Sequence, residues 1–274
     1  MAMVINTNMA AINATRILDK TSVEQSTSME RLTSGLEING AKDNAAGLAI
    51  ATKMTSQIMG TDQAIANAND GISLAQTMDG AMDEVVNMMQ RMRELGVQAM
   101  NGTYSDENRS QMNTEYAQLS AEITRVALTT SFNDKNLLNG SAATFSVHVG
   151  WQVGADNQVK LSTFNASTLG ADLAALTIST AGGASQVVAS IDGRLGSINE
   201  FRAKWGAVQN RLESTVSNLA NVNENMNAAR SRIQDADFAK ESANLARTQV
   251  LQQAGMSMLS QANSNSQNVL SLLR

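Results

Sequence analysis

Ile198, Phe201, Trp205, Val208, Leu212, Thr215, Leu219, Val222, Met226, Ala229 and Ile233 follow one another at steps of three and four in unbroken alternation. An average step of 3.5 residues keeps these side chains on one seam of an α-helix, and a repeat sustained this long predicts supercoiling against partner helices. At about 1.5 Å per residue, a helix over 198–233 spans roughly 50 Å, more than the interior of a compact domain accommodates. The seam requires other long helices, and the rest of the chain has to supply them.

Composition points the same way. The 274-residue chain contains no proline, although average usage of about 5% predicts more than a dozen. Proline breaks helix interiors, so its absence fits a chain that is mostly long helix. Aromatic residues make up only 3%, and the apolar share leans on Ala and on 16 Met, which suits narrow helix–helix seams. The net charge of −5, with no basic block, argues against a nucleic-acid partner. Without cysteine there is neither a disulfide nor a thiolate metal site. Residues 1–14 carry no Lys or Arg and no continuous apolar core, so they do not read as a signal peptide. No run approaches the ~18 apolar residues of a membrane span. The expectation is a cytoplasmic protein, or one that leaves by a route without a cleaved signal.

In chain order, residues 1–39 are weakly amphipathic, with Ile5, Met9 and Ile12 early and Met29, Leu32 and Leu36 later among modest helix formers. Such a helix is marginal without a partner. Gly35, Asn39 and Gly40 mark a break, and 41–100 reads as one very long helix. Its isolated glycines, Gly60, Gly71, Gly80 and Gly96, each cost about 1 kcal/mol relative to Ala, which predicts close backbone packing at those points. Residues 101–105 form a reversal, with Gly102 at the C′ position and Ser105 as the next N-cap, followed by Asp106 and Glu107. Met112, Tyr116, Leu119, Ile123 and Val126 continue the three–four rhythm, so an antiparallel helical hairpin is expected.

The period then changes. Phe145, Val147, Val149, Trp151 and Val153 alternate with polar residues and glycine, the signature of a half-buried strand. Residues 154–157 are turn chemistry, and Val159 and Leu161 predict a returning strand. Residues 162–184, rich in Ser, Thr, Ala and Gly, read as irregular surface around short elements, with Leu169, Leu173 and Leu176 the only anchors. The tail is a helix with a poorer seam: Phe238, Leu245, Leu259 and Leu273 share a heptad column that Gln252 and Ser266 interrupt. The predicted fold class is mainly α: long antiparallel helices forming a coiled-coil rod, with a small β-hairpin region in mid-chain.

Catalytic chemistry is scarcely represented. His148, the only histidine, lies on the polar phase of the predicted strand and reads as a surface residue. There is no phosphate-binding glycine loop, nucleophile elbow or His-based metal motif. Asp235 and Asp237, just before Phe238, suit a helix start better than a carboxylate pair. No catalytic, cofactor-binding or metal residue is assigned, and the chain does not read as an enzyme.

Specific words remain. The opening Met-Ala-Met-Val-Ile-Asn-Thr-Asn, the run 30–36 (Glu-Arg-Leu-Thr-Ser-Gly-Leu), 38–47 (Ile-Asn-Gly-Ala-Lys-Asp-Asn-Ala-Ala-Gly) and 68–73 (Ala-Asn-Asp-Gly-Ile-Ser) resemble bacterial flagellin. So do 228–237 (Ala-Ala-Arg-Ser-Arg-Ile-Gln-Asp-Ala-Asp), 249–255 (Gln-Val-Leu-Gln-Gln-Ala-Gly) and the closing 268–274 (Asn-Val-Leu-Ser-Leu-Leu-Arg). The resemblance covers 1–165 and 187–274, in register at both ends. Glu37 stands where the family usually has Arg, and Asn44 where it often has Asp.

The resemblance implies a short form with core domains only. A terminal helical core domain comprises 1–44 plus 235–274 and is disordered in the free monomer. A rod domain with helices and β-hairpin comprises 45–185 plus 186–234, with 162–185 as a short variable surface segment. The implied rod-domain seam is Ile198, Phe201, Trp205, Val208, Leu212, Leu219, Val222, Met226 and Ile233. The implied terminal assembly residues are Ile5, Met9, Ile12, Leu32, Leu36, Phe238, Leu245, Leu259 and Leu273. The implied function is a structural subunit that polymerises through its terminal helices into the flagellar filament used for swimming; a hook–filament junction protein and a coiled-coil scaffold are the alternatives. The implied location is secreted and extracellular, in the bacterial flagellum. Implied partners are the chain itself as a helical homopolymer, alone or with a second flagellin, the flagellar type III export apparatus, a flagellin chaperone, and hook-associated and cap proteins, with no nucleic acid and no membrane. Candidate O-glycosylation sites are Ser162, Thr163, Ser167, Thr168, Thr177 and Ser179. Arg91, Leu95 and Glu115 match a patch that an innate immune receptor recognises in some relatives. If the chain reverses near Thr103, Arg91 lies level with Glu115 and Tyr116, and Leu95 is one turn from Arg91.

Overall fold

The computed structural model describes residues 7–141 and 144–271, with side chains through residue 264. The elements in order are α1 (Met9–Ser34), α2 (Ala41–Met100), α3 (Asp106–Thr129), β1 (Ser131–Phe132), β2 (Lys135–Asn136), β3 (Thr144–His148), β4 (Gln158–Ser162), α4 (Ala166–Ala174), α5 (Ala181–Gln234) and α6 (Phe238–Ser271). They divide into two compact units, one of Met1–Ser56 with Asn225–Arg274 and one of Gln57–Glu224.

In the Gln57–Glu224 unit, α2 and α3 form the expected antiparallel hairpin. The Ser105 hydroxyl caps α3 by accepting from Asn108 N at 3.3 Å, with Asp106 and Glu107 in the first turn. Gly102 does not act as a left-handed cap: the only glycines with positive φ among the described residues are Gly35 and Gly140. The last carbonyls of α2 are instead met by a side chain, because Arg109 Nε donates to Ala99 O at 2.9 Å and its Nη2 to Asn101 O at 3.2 Å. Arg109 is buried as a result.

The opening seam lies on α5, which runs antiparallel to α2: Arg93 bonds Asp192 at 2.7 Å, and Arg202 bonds Asp79 at 2.7 Å and Asp83 at 3.1 Å. Ile198, Trp205 and Leu212 are fully covered, Phe201 and Val208 pack against the same core, Leu219 is half-buried, and Val222 is 38% exposed. Facing them from α2 are Met78, Met82, Val85, Met89, Met92 and Leu95, none more than 1% exposed. Cover thins beyond Leu212 because the β3–β4 hairpin lies beside the earlier part of α5. Trp205 Nε1 donates to Ser162 O at 2.8 Å, and Phe201 makes an edge contact with Phe164, ring centroids 5.0 Å apart.

Glycine serves close approach in α2, at three of the four expected positions. A Cβ on Gly71 would lie 2.9 Å from Val147 Cγ2 and 3.2 Å from Leu212 Cδ1, so this glycine is where hairpin and α5 both seat on α2. Gly60 and Gly96 are similarly crowded, by Trp151 and Val188, whereas nothing lies near Gly80.

Two expectations about mid-chain need correction. The first strand stops at His148, pairing with Gln158 in an antiparallel register that runs to Thr144 opposite Ser162. Trp151 and Val153 lie beyond it and are 43% and 103% exposed. The strand-like alternation continues past the last pair, but only paired residues have a sheet face to bury. Segment 162–185 is irregular only in part: its short elements are α4 and the first turn of α5. Asn165 caps α4 by accepting from Thr168 N at 3.2 Å, and Leu169 and Leu173 are buried against α3. Tyr116 O–H donates to Leu173 O at 2.9 Å and the Ser120 hydroxyl to Gly170 O at 2.9 Å. Burial pushes the Tyr116 phenol up to about 12 despite the lowering effect of Arg194, so it stays protonated and donating at neutral pH.

In the other unit, α1 ends on Gly35, whose φ of 74° is open to glycine and whose N–H bonds Arg31 O at 2.8 Å. Leu36 then pairs with Asp235 in an isolated antiparallel bridge, flanked by Glu37 N to Gln234 O at 2.7 Å and Ala236 N to Gly35 O at 2.9 Å. Asp237 starts α6 by accepting from Ala239 N at 2.9 Å. Asn44, at φ −160° and ψ 98°, kinks the start of α2. The compact unit runs past these breaks along both helices, to Ser56 and from Asn225, and Arg230 reaches Thr55 at 3.4 Å within it.

Candidate assembly surface

The helices α1 and α6 pack against each other and run antiparallel, with Asn8 Nδ2 donating to Ala262 O at 3.0 Å near one end and Arg31 3.8 Å from Glu241 at the other. A Cβ on Gly255 would meet Leu18 Cγ at 3.1 Å, so glycine sets their approach midway. The inner positions of α6 are Glu241, Leu245, Thr248, Gln252, Gly255, Leu259 and Ala262, and those of α1 include Ala11, Ala14, Leu18, Thr21, Gln25 and Ser28. The three–four spacing of a coiled coil is present, but the most buried members are Thr21, Ser28, Glu241 and Thr248, all polar. Arg31 Nε is buried without a hydrogen-bond partner among the described residues, beside a groove of about 220 Å³ that Ser28, Glu241, Asn244 and Arg247 also line.

Large apolar residues also lie on the outside. In α1, Met9, Ile12, Ile17, Val23 and Met29 are 50–65% exposed; in α6, Phe238, Val250, Leu251, Met256 and Met258 are 46–65% exposed. At 100° per residue, Met9, Ile12 and Val23 lie on the side of α1 opposite its seam, as Val250 does on α6. The usual arrangement of a helix pair, apolar in and polar out, is kept only in part: the most buried seam members are polar, and large apolar side chains are left uncovered.

Of the expected terminal residues, Met9, Ile12 and Phe238 are outward, while Leu32, Leu36, Leu245 and Leu259 are half-buried within the chain. Ile5 and Leu273 lie outside the described residues. The heptad column followed the inner seam, so Val250, Leu251, Met256 and Met258 were missed; they point to different sides of α6 and share no single stripe. In the seam set, Met226 and Ile233 are half-buried in this unit.

On the Gln57–Glu224 unit, Arg91 Nε bonds Glu115 at 2.8 Å and its Nη1 bonds Glu94 at 2.6 Å. These hydrogen bonds, that to Glu115 foremost, raise the guanidinium above its ordinary value. Arg91 and Glu115 are exposed, but Leu95 is 1% exposed and belongs to the core beneath them. Among the hydroxyls of 162–185, Ser162, Thr168 and Thr177 are exposed and Thr163, Ser167 and Ser179 half-buried; Thr177 Oγ1 is already bonded to Asn113 at 2.9 Å. His148 is half-buried, with Asn67 Nδ2 donating to its carbonyl at 3.1 Å. No described helix is long and apolar enough to cross a membrane.

Comparison with known proteins follows this geometry. Residues 5–143 match the bacterial flagellin N-terminal helical region and 188–273 the C-terminal helical region. The chain is 45% identical over 272 residues to a flagellin of Halalkalibacterium halodurans, covering 99% of this chain and 100% of the relative. It is 41% identical over 286 residues to flagellin FlaB1 of Treponema pallidum, again over 99% and 100%. The crystal structure of Bacillus cereus flagellin superposes with a TM-score of 0.51 at 28% identity, over 56% of this chain and 88% of that one. Helices that hide polar groups and display apolar ones, at two chain ends that both match the family, are those of a polymer subunit: the chain belongs to the bacterial flagellins, the structural subunits of the flagellar filament.

Proposed function

We propose that the outward apolar side chains of α1 and α6 are the surface through which one copy of this chain binds the next, and that their burial drives filament growth. The observation that carries this is a helix pair whose most buried members are polar while large apolar side chains such as Val250 and Ile12 are exposed. Covering a side chain such as Val250 or Ile12 contributes about 1.5–3 kcal/mol, whereas the polar seam offers little to hold α1 and α6 together in the free subunit. The pair is accordingly marginal before assembly and completed by neighbours. The subunit leaves the cell through the flagellar type III export apparatus with a flagellin chaperone, and meets hook-associated and cap proteins at the filament ends. Purified subunit mixed with short filament seeds is expected to elongate them, as seen by electron microscopy and sedimentation. A chain that remains soluble with its own seeds, or merely blocks their ends, would overturn the reading.

Arg91 and Glu115 supply the second proposed surface, an innate-receptor contact open on free subunits and covered in the filament. Depolymerised protein is expected to activate a receptor reporter more than filaments do, with Arg91→Ala lowering the response; equal signalling by both forms would contradict it. Ser162, Thr168 and Thr177 are the proposed O-glycosylation sites best exposed for modification, and an intact mass equal to the bare chain would exclude them.

A further inference from the structure

Methionine is the only sulfur in this chain, because there is no cysteine. Its members fall into sharply different surroundings. Met78, Met82, Met89 and Met92 are completely covered, at 0% exposure. Met9, Met29, Met256 and Met258, on α1 and α6, are 65%, 50%, 62% and 65% exposed, while Met59 and Met100, 67% and 44% exposed, lie on α2. A thioether in the first set has no contact with a dissolved oxidant, while one in the second is open to it. The thiols that oxidants usually consume first are absent.

We propose that Met9, Met29, Met256 and Met258 form an oxidation-sensitive set that gates assembly, resting on the outward face of α1 and α6 being the assembly face. The oxidant is of the peroxide class. The sulfur lone pair attacks one peroxide oxygen, the S–O bond forms as the O–O bond breaks, and the departing hydroxide takes a proton from the attacked oxygen and leaves as water. Sulfur loses two electrons and the peroxide gains them. Each conversion replaces an apolar thioether by a strongly accepting sulfoxide. A filament interface has to desolvate that oxygen, and an unsatisfied buried acceptor is costly. The reaction therefore arrests free subunits but spares those already polymerised, whose four sulfurs are covered by neighbours. Methionine sulfoxide reductases for the two epimers, supplied with a dithiol, reverse the block: the dithiol is oxidised to a disulfide and the sulfoxide oxygen leaves as water.

The test treats free subunits and preformed filaments with hydrogen peroxide, maps sulfoxides by peptide mass spectrometry, and measures seeded elongation. In free subunits Met9, Met29, Met256 and Met258 are expected to oxidise, together with exposed Met59 and Met100 of α2, while Met78, Met82, Met89 and Met92 stay reduced. Elongation is expected to fall at least about tenfold, the factor corresponding to about 1.4 kcal/mol per added subunit. Reductase treatment restores it, and in the combined Met9→Leu, Met29→Leu, Met256→Leu and Met258→Leu variant peroxide is expected to leave elongation at that variant's own untreated rate. Filaments keep the four sulfurs reduced. Undiminished elongation of oxidised wild type, or equal loss in the leucine variant, would overturn the inference. Ile12→Asp separates the two claims. If it elongates normally, the assembly-face reading itself fails; if it is blocked while sulfoxides are harmless, only the redox inference fails.

Discussion

Trp205→Ala is expected to lower the stability of the Gln57–Glu224 unit by about 3–5 kcal/mol, the usual cost of emptying a large aromatic site in a core. For a unit of this size the melting temperature should fall by roughly 10 °C, read by circular dichroism or calorimetry. Trp205 is 1% exposed, sits 6.4 Å from Phe201 ring to ring, and ties α5 to the end of β4 through Ser162 O. Alanine leaves a cavity and deprives that carbonyl of its donor, so transfer and hydrogen-bond losses add. The variant keeps only exposed Trp151, so its fluorescence should also move to longer wavelength. Leu219→Ala, at a half-buried position of the same helix, should cost less than half as much. Equal losses would mean that cover does not thin along α5.

Val250→Asp is expected to leave the free subunit within about 0.5 kcal/mol of wild type, as surface substitutions usually do. Its effect should fall on the filament. Val250 is 65% exposed in the free chain, and a carboxylate there must be desolvated when a neighbour covers it, at a cost of several kcal/mol. A loss of about 3 kcal/mol per subunit raises the critical concentration roughly a hundredfold. Sedimentation after seeding measures that concentration, and thermal melting of the monomer is the control. Filaments forming at the wild-type concentration would remove α6's outward side from the interface.

How far these features could be read in advance depended on whether the burying partner was encoded nearby. The three–four repeat of α5 was legible because Ile198, Trp205 and Leu212 are apolar and their partners in α2 are apolar too. The Arg91–Glu115 pair followed from chain reversal alone. Segment 166–174 was read only as a short element, although Leu169 and Leu173 stand four apart: nine residues are too few for a long repeat, and the helix leans on α3, where Tyr116 and Ser120 supply bonds that hold it. The role of Gly102 was misplaced because nothing in its neighbourhood announces that Arg109 will reach back to the end of α2. In α1 and α6 the pattern misled in a more instructive way. Thr21, Ser28, Glu241 and Thr248 look like surface residues and are buried, while Val250 and Met258 look like core and are exposed. Such a pattern becomes consistent only when further copies of the chain are counted as part of the fold.

Hydrogen exchange of the α1 and α6 backbone amides, compared between free subunits and filaments, tests the central claim most directly. Amides of the marginal pair should exchange rapidly in the free subunit, because their seam is polar and their apolar sides are uncovered. In the filament the same amides should become strongly protected, with much smaller changes across Gln57–Glu224. Equal protection of α1 and α6 in both states, or a gain confined to Gln57–Glu224, would contradict assembly through the terminal helices.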